Sequence, residues 1–110
     1  MRPSPYVYPG LFFHRLDDIL IAVCEATGID EADIRSKRRR REFVTARQVY
    51  CYIARKKTGI SYCQIGEMLS DHEHKYNHAT VMHSIKQVEG FLSINDKMTV
   101  SLINEVNKLL

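Results

Sequence analysis

Apolar residues along the chain recur with a helical period, and no stretch alternates in the manner of a strand. Leu16, Ile19, Leu20, Val23, Cys24 and Thr27 fall on one face and predict a helix over 16–27, stopped by Gly28 at its C′ position. Asp30 is expected to cap a short helix over 31–36, with Asp33 adding a second acid to its first turn. The run Lys37, Arg38, Arg39, Arg40, Arg41 has no apolar stripe and reads as a loop or a solvated helix end. A third helix is expected from Thr45 to Lys57, burying Ala46, Val49, Tyr50, Ile53 and Ala54, with Gln48, Cys51, Tyr52 and Arg55 on other faces.

Ser61 and Gln64 have the spacing of a capping box and open a helix with Ile65, Met68 and Leu69 inward. Residues 70–76 are polar up to Tyr76 and read as a turn. Asn77 then caps a helix to about Gly90, whose core stripe is Val81, Ile85, Val88 and Leu92, helped by Met82 and Phe91. Asn95 is expected to cap a last helix that turns Leu102, Ile103, Val106, Leu109 and Leu110 inward. The predicted fold is an all-α helical bundle of five main helices and one short one. Pro3, Pro5 and Pro9, with Tyr6 and Tyr8, mark residues 1–15 as a proline-rich N-terminal arm whose aromatics dock on the domain at 16–110.

Composition narrows the class. The 110 residues, 45% apolar and 26% charged, suit one small domain. No apolar run approaches the ~20 residues of a membrane span, and no secretory signal is visible at the start. Cys24, Cys51 and Cys63 form no C-x-x-C pair, as expected of reduced thiols in a cytoplasmic protein. The net charge is +3, but its distribution is uneven. From Arg35 to Lys57 there are ten Lys/Arg against Glu42 alone, a window of +9 on a remainder of −6. One basic face on an acidic body implies a polyanionic partner.

The two helices around the polar turn, preceded by a longer basic one, have the order of a helix-turn-helix, in which the second helix enters the major groove by its N-terminal end. The residues there are Asn77, His78, Ala79 and Thr80, with His83 and Lys86 further along within reach of phosphate. The same pattern also describes a plain helical hairpin.

Three pieces of sequence resemble domain IV of the bacterial replication initiator DnaA: Ser36-Lys37-Arg38-Arg39 leading to Arg47-Gln48; Ser61-Tyr62-Cys63-Gln64-Ile65-Gly66; and Asn77-His78-Ala79-Thr80-Val81-Met82-His83. The resemblance runs from Leu16 to the C-terminus. It implies a bundle related to the Trp repressor that binds double-stranded DNA sequence-specifically, in replication initiation or its regulation. By the same resemblance His78 and Thr80 match residues at bases or phosphate, Arg47 and Gln48 match positions near the sugar-phosphate backbone, and the basic loop precedes the family's minor-groove arginine.

Four departures stand against the family pattern. Thr45 occupies the minor-groove arginine position, leaving that contact to Arg41 or the arm. Asn77 replaces an aspartate, exchanging a partner for cytosine N4 for one suited to adenine or for a helix cap. Ala79 replaces a hydroxyl residue and keeps a methyl for thymine. The turn is about four residues longer, which offers His72, His74 or Lys75 as added contacts. DNA binding is therefore expected to persist with a different preferred site. The 110 residues contain no G-x-x-x-x-G-K-[ST] motif, so no nucleotide and no cofactor are expected, nor an ATPase domain. If ~5–7 basic residues touch phosphate, log K falls against log salt with a slope of roughly −5 to −6. A second copy on an adjacent site, or a replication protein, would supplement the modest interface of one such module.

Other readings compete. His72, His74, His78, His83 and Cys63 suggest a small metal-binding domain, but His78 and His83 are five apart on a helix and no second Cys stands at ligand spacing. A basic interaction module would share the charge without needing base-edge residues. No triad, nucleophile elbow or metal-carboxylate motif indicates an enzyme.

Overall fold

The computed structural model describes residues 16–70 and 75–110. These form six helices: α1 (Leu16–Thr27), α2 (Glu31–Arg35), α3 (Arg41–Thr58), α4 (Tyr62–Leu69), α5 (His78–Ser93) and α6 (Lys97–Leu109). No strand occurs among the described residues, so the all-α expectation holds. The proposed arm at 1–15 and its docking lie outside the described residues, as do His72 and His74.

Helix α3 is the axis of the bundle, packing against all five others. Its stripe explains why: Ala46, Val49, Tyr50, Ile53 and Ala54 are all buried, with Cys51 beside them. Ile19, Leu20 and Val23 from α1, Ile34 from α2, Ile65 and Leu69 from α4, and Val81 and Ile85 from α5 close around that stripe. Burial of such aliphatic side chains contributes ~1.5–3 kcal/mol each and is the main force assembling the helices.

The helix ends follow local chemistry. Gly28 and Gly59 take left-handed φ values of 73° and 68° after α1 and α3, with the Gly59 amide donating to the Arg55 carbonyl at 3.0 Å. Ser61 Oγ accepts from the Gln64 amide at 3.2 Å, which is half of the capping box; Gln64 Oε1 accepts from the Ser61 hydroxyl at 3.3 Å and not from its amide.

Several expectations need correction. Helix α3 starts at Arg41 and not at Thr45. Its N-cap, Arg40, has no side-chain acceptor, but burial of Phe43 extends the apolar stripe by one turn, and the Arg40 guanidinium lies 5.5 Å from that ring. Asp30 sits at the N-cap of α2, yet its side chain accepts no capping bond; the Ile34 side chain anchors the helix instead. Cys51 faces the core and not another surface, because α3 is surrounded. Asn95 does not cap α6: it adopts a left-handed φ of 57° and ends the preceding turn, and Asp96 accepts from the Thr99 amide at 3.0 Å. Met82, Phe91 and Leu109 remain substantially exposed, 37%, 39% and 45%, since no element among the described residues covers those faces.

Candidate nucleic-acid interface

The bend between α4 and α5 depends on Gly66. A Cβ there would overlap the carbonyl oxygen of Tyr76 and stand 3.4 Å from Val81 Cγ2. Only a bare α-carbon lets the incoming chain cross α4 this closely. Tyr76 and Val81 then occupy the N′ and N4 positions of α5, the spacing of a hydrophobic staple, and both are buried. Asn77 Oδ1 completes the start of α5 by accepting from the Thr80 amide at 2.9 Å and from Thr80 Oγ1 at 3.2 Å. The cap reading of Asn77 is thus met.

These constraints open one cleft of about 710 Å³. Lys37 and Arg39 of the basic loop, Arg47 and Gln48 of α3, and Lys75 and Tyr76 of the turn line it together with Asn77, Thr80 and His83 of α5. Cys51, Leu69, Val81 and Ser84 form its buried floor. Residues separated by more than forty positions in sequence therefore meet on one surface. Thr80 and His83 are exposed there, and the first turn of α5 also exposes His78 and Ala79. Lys86 is exposed further along the helix and lines no part of the cleft. Thr45 is half-buried on α3, also outside the cleft lining.

The basic window divides into two groups. Lys37, Arg38, Arg39, Arg40 and Arg41 are exposed. Arg38 approaches Asp33 at 3.8 Å and Arg40 pairs with Glu42 at 3.1 Å, whereas Lys37, Arg39 and Arg41 form no ion pair among the described residues. Arg35, Arg47 and Arg55 act inside the fold. Arg35 pairs with Glu31 at 3.1 Å. Arg55 donates to the Ile60 carbonyl at 2.8 Å and stacks 4.4 Å from the centre of the Tyr62 ring.

Arg47 is the main departure from the sequence reading. Expected near a sugar-phosphate backbone, it is only 8% exposed. Its Nε donates to the Ile34 carbonyl, and its Nη2 to the carbonyls of Asp33 (3.3 Å), Ser36 (2.7 Å) and Arg38 (2.7 Å). Burial pulls its pKa below the usual arginine value, partly offset by Tyr76. The guanidinium lies 5.7 Å from the centre of the Tyr76 ring, and the Tyr76 hydroxyl donates to the same Ser36 carbonyl. Tyr76 went unnoticed in the sequence, although an aromatic immediately before a capping Asn is the staple signal.

Among the described residues no three His, Cys, Asp or Glu side chains gather as a metal site. No helix among the described residues is long and apolar enough to cross a membrane.

Comparison with known proteins places this geometry. The family described as "Bacterial dnaA protein helix-turn-helix" matches residues 16–88. The chain belongs to this family. Relatives named chromosomal replication initiator protein DnaA share 37% identity over 95 residues in Bacteroides thetaiotaomicron, covering 86% of this chain and 19% of that protein. The corresponding protein of Picosynechococcus sp. is 35% identical over 91 residues, 83% of this chain and 19% of its own length. That of Thermodesulfovibrio yellowstonii is 43% identical over 68 residues, 62% of this chain and 15% of its own. The chain thus spans about one fifth of the length of these DnaA relatives.

Proposed function

We propose that this DnaA-family helix-turn-helix binds double-stranded DNA and prefers particular sequences, in replication initiation or its regulation in the bacterial cytoplasm. The observation carrying this reading is the cleft shared by the exposed cations Lys37 and Arg39, which form no ion pair among the described residues, and by the exposed Thr80 and His83 at the N-terminal half of α5. Cations at the rim supply affinity for phosphate, and a helix entering by its N-terminus supplies base contacts.

The geometry supports the following division of roles within the proposed site. Lys37, Arg39 and Arg41 neutralise phosphates, joined by Arg38 and Arg40 when their weak surface pairs open. His78, Ala79, Thr80 and His83 face the base edges or adjacent phosphates, with the Ala79 methyl suited to a thymine methyl. Asn77 sets the helix start, since its side-chain oxygen already accepts two bonds from Thr80. Gln48 and Lys86 flank the contact. One module of this size buries roughly 600–1,000 Å² on DNA, so a second copy on an adjacent site or a replication protein strengthens selection.

The test is a salt titration of binding to a random duplex, followed by site selection. Replacing Lys37, Arg39 and Arg41 with Ala should reduce the slope of log K against log salt by about 3, near 0.9 for each lost phosphate contact. Selection with the wild type should return a defined site, and Ala79→Ser should return a different one. An unchanged slope in the triple variant, with no enriched sequence for the wild type, would refute the proposal.

A further inference from the structure

We infer that Arg47, together with Tyr76, is a positioning residue that locks the basic loop in register with α5, so that the phosphate-binding and base-reading elements meet one duplex as a unit. This rests on the DNA-reading function proposed above.

The loop at 36–40 has no regular backbone structure of its own to fix its path. What fixes it is a guanidinium from the interior of α3. Arg47 Nη2 grips the carbonyls of Ser36 and Arg38, both at 2.7 Å, and Nε holds that of Ile34 at the end of α2. Those carbonyls flank the two cations, Lys37 and Arg39, that line the cleft. The other end of the device is Tyr76. Its ring lies against the Arg47 guanidinium, its hydroxyl donates to Ser36, and its backbone immediately precedes Asn77, the cap of α5. A continuous set of contacts therefore runs from the loop backbone through Arg47 and Tyr76 to the first turn of the reading helix. Neither side chain needs to touch DNA to govern how the two contact regions are spaced. Lysine substitutes poorly, because its single nitrogen cannot hold the Ile34 carbonyl as Nε does while also holding those of Ser36 and Arg38 as Nη2 does.

Two variants test this: Arg47→Lys, and Tyr76→Phe, which keeps the ring and removes only the hydroxyl. Each is measured for helicity and thermal unfolding, for affinity and salt slope on a random duplex, and for the ratio of affinities between the wild-type selected site and the random duplex. Both should bind the random duplex within about threefold of wild type with an unchanged salt slope, because no phosphate-facing cation is lost. The ratio should fall about tenfold in Tyr76→Phe, the effect of one hydrogen bond, and further in Arg47→Lys. A merely structural residue would lower the melting temperature and leave the ratio intact, and that result overturns the inference. A third variant, Arg47→Gln, removes the charge that lysine keeps: a salt slope reduced by about 0.9 there would make Arg47 a direct phosphate ligand and likewise overturns the inference.

Backbone 15N relaxation on the free protein separates this inference from the function it rests on. Order parameters at residues 37–40 should fall clearly in both variants, from rigid toward flexible values, while those of α1 and α6 stay rigid. Unchanged order in the loop overturns the positioning role even if the wild type selects a site. Loosening of the loop supports the lock even if no site is selected, in which case it is the DNA reading that has failed.

Discussion

Replacing Gly66 with Ala and Gly90 with Ala applies the same chemical change to two helix interiors, and the structure demands opposite signs. In an unconstrained helix the change is favourable by ~1 kcal/mol, because glycine loses more backbone freedom on folding. At Gly90 an added Cβ meets nothing within 4 Å, so that gain should be realised as about 0.5–1 kcal/mol. At Gly66 the same atom collides with the Tyr76 carbonyl oxygen, stands 3.2 Å from the Tyr76 carbonyl carbon and approaches Val81 Cγ2 at 3.4 Å. Two of these three atoms are backbone, so rotation of a side chain cannot relieve the clash. The chain entering α5 must move, and the staple and the cap at Asn77 move with it. Overpacking of this kind costs about 1–3 kcal/mol, and returning the ~1 kcal/mol helix gain leaves a net loss of up to about 2 kcal/mol. Thermal unfolding followed by circular dichroism reads the difference directly, at roughly 4–8 °C per kcal/mol for a domain of this size. Gly66→Ala should melt lower than wild type and Gly90→Ala higher. If both variants melt higher, the close crossing of α4 by the turn is wrong, and the geometry assigned to the reading helix fails with it.

Other outcomes follow from single residues. Asn77→Ala removes the acceptor for the Thr80 amide and should cost about 1 kcal/mol in urea denaturation, whereas Asn77→Asp, which keeps an acceptor there, should cost less. The Thr99 hydroxyl and amide bond to Asp96 and hold its pKa below the ordinary carboxylate value of 3.8. A depressed folded pKa gives stability that is fully present above that ordinary value and lost as pH falls below it. Asp96→Asn should therefore show less loss of melting temperature than wild type between about pH 4 and pH 2. Burial pushes the Cys51 thiol up to about 12, while Cys63 is exposed. An alkylating reagent at pH 8 should label Cys63 in the native protein and reach Cys51 only after denaturation, as mapped by mass spectrometry.

The parts of the fold legible in the sequence are those where local chemistry and burial agree. Helices α1, α4 and α5 have apolar stripes bounded by Gly28, Ser61 and Asn77, and each boundary is met. The start of α3 was obscured because Arg40 carries no capping acceptor and the polar surroundings of Phe43 mask one buried position. At α6 two adjacent residues could each cap, and local pattern does not choose between them. Backbone geometry does: Asn tolerates the left-handed region that the turn needs, leaving Asp96 for the cap. The exposure of the positions proposed to read bases was legible for a related reason. His78, Ala79 and Thr80 follow a strong cap and lie off the buried stripe, so exposure was implied by period alone.

The basic face was legible as a total and illegible in its division. A count of charges cannot see carbonyl acceptors, and Arg47 bonds to carbonyls nine to fourteen residues away in sequence. Arg55 is held by Ile60 and Tyr62 beyond the end of its own helix, and Arg35 by Glu31. Three of the ten cations in the window thus build the surface that the others present. The division has a physical logic. Arginine is the one cation that can serve several fixed acceptors while stacking on a ring, so interior bracing selects it. Phosphate neutralisation needs only charge near the groove, a role that the proposed function gives to a lysine, Lys37, as well as to arginines. Estimates of salt dependence drawn from a raw count of Lys and Arg are therefore too steep for a fold like this one. The excess is about 0.9 for each guanidinium that the fold itself holds, here those of Arg35, Arg47 and Arg55.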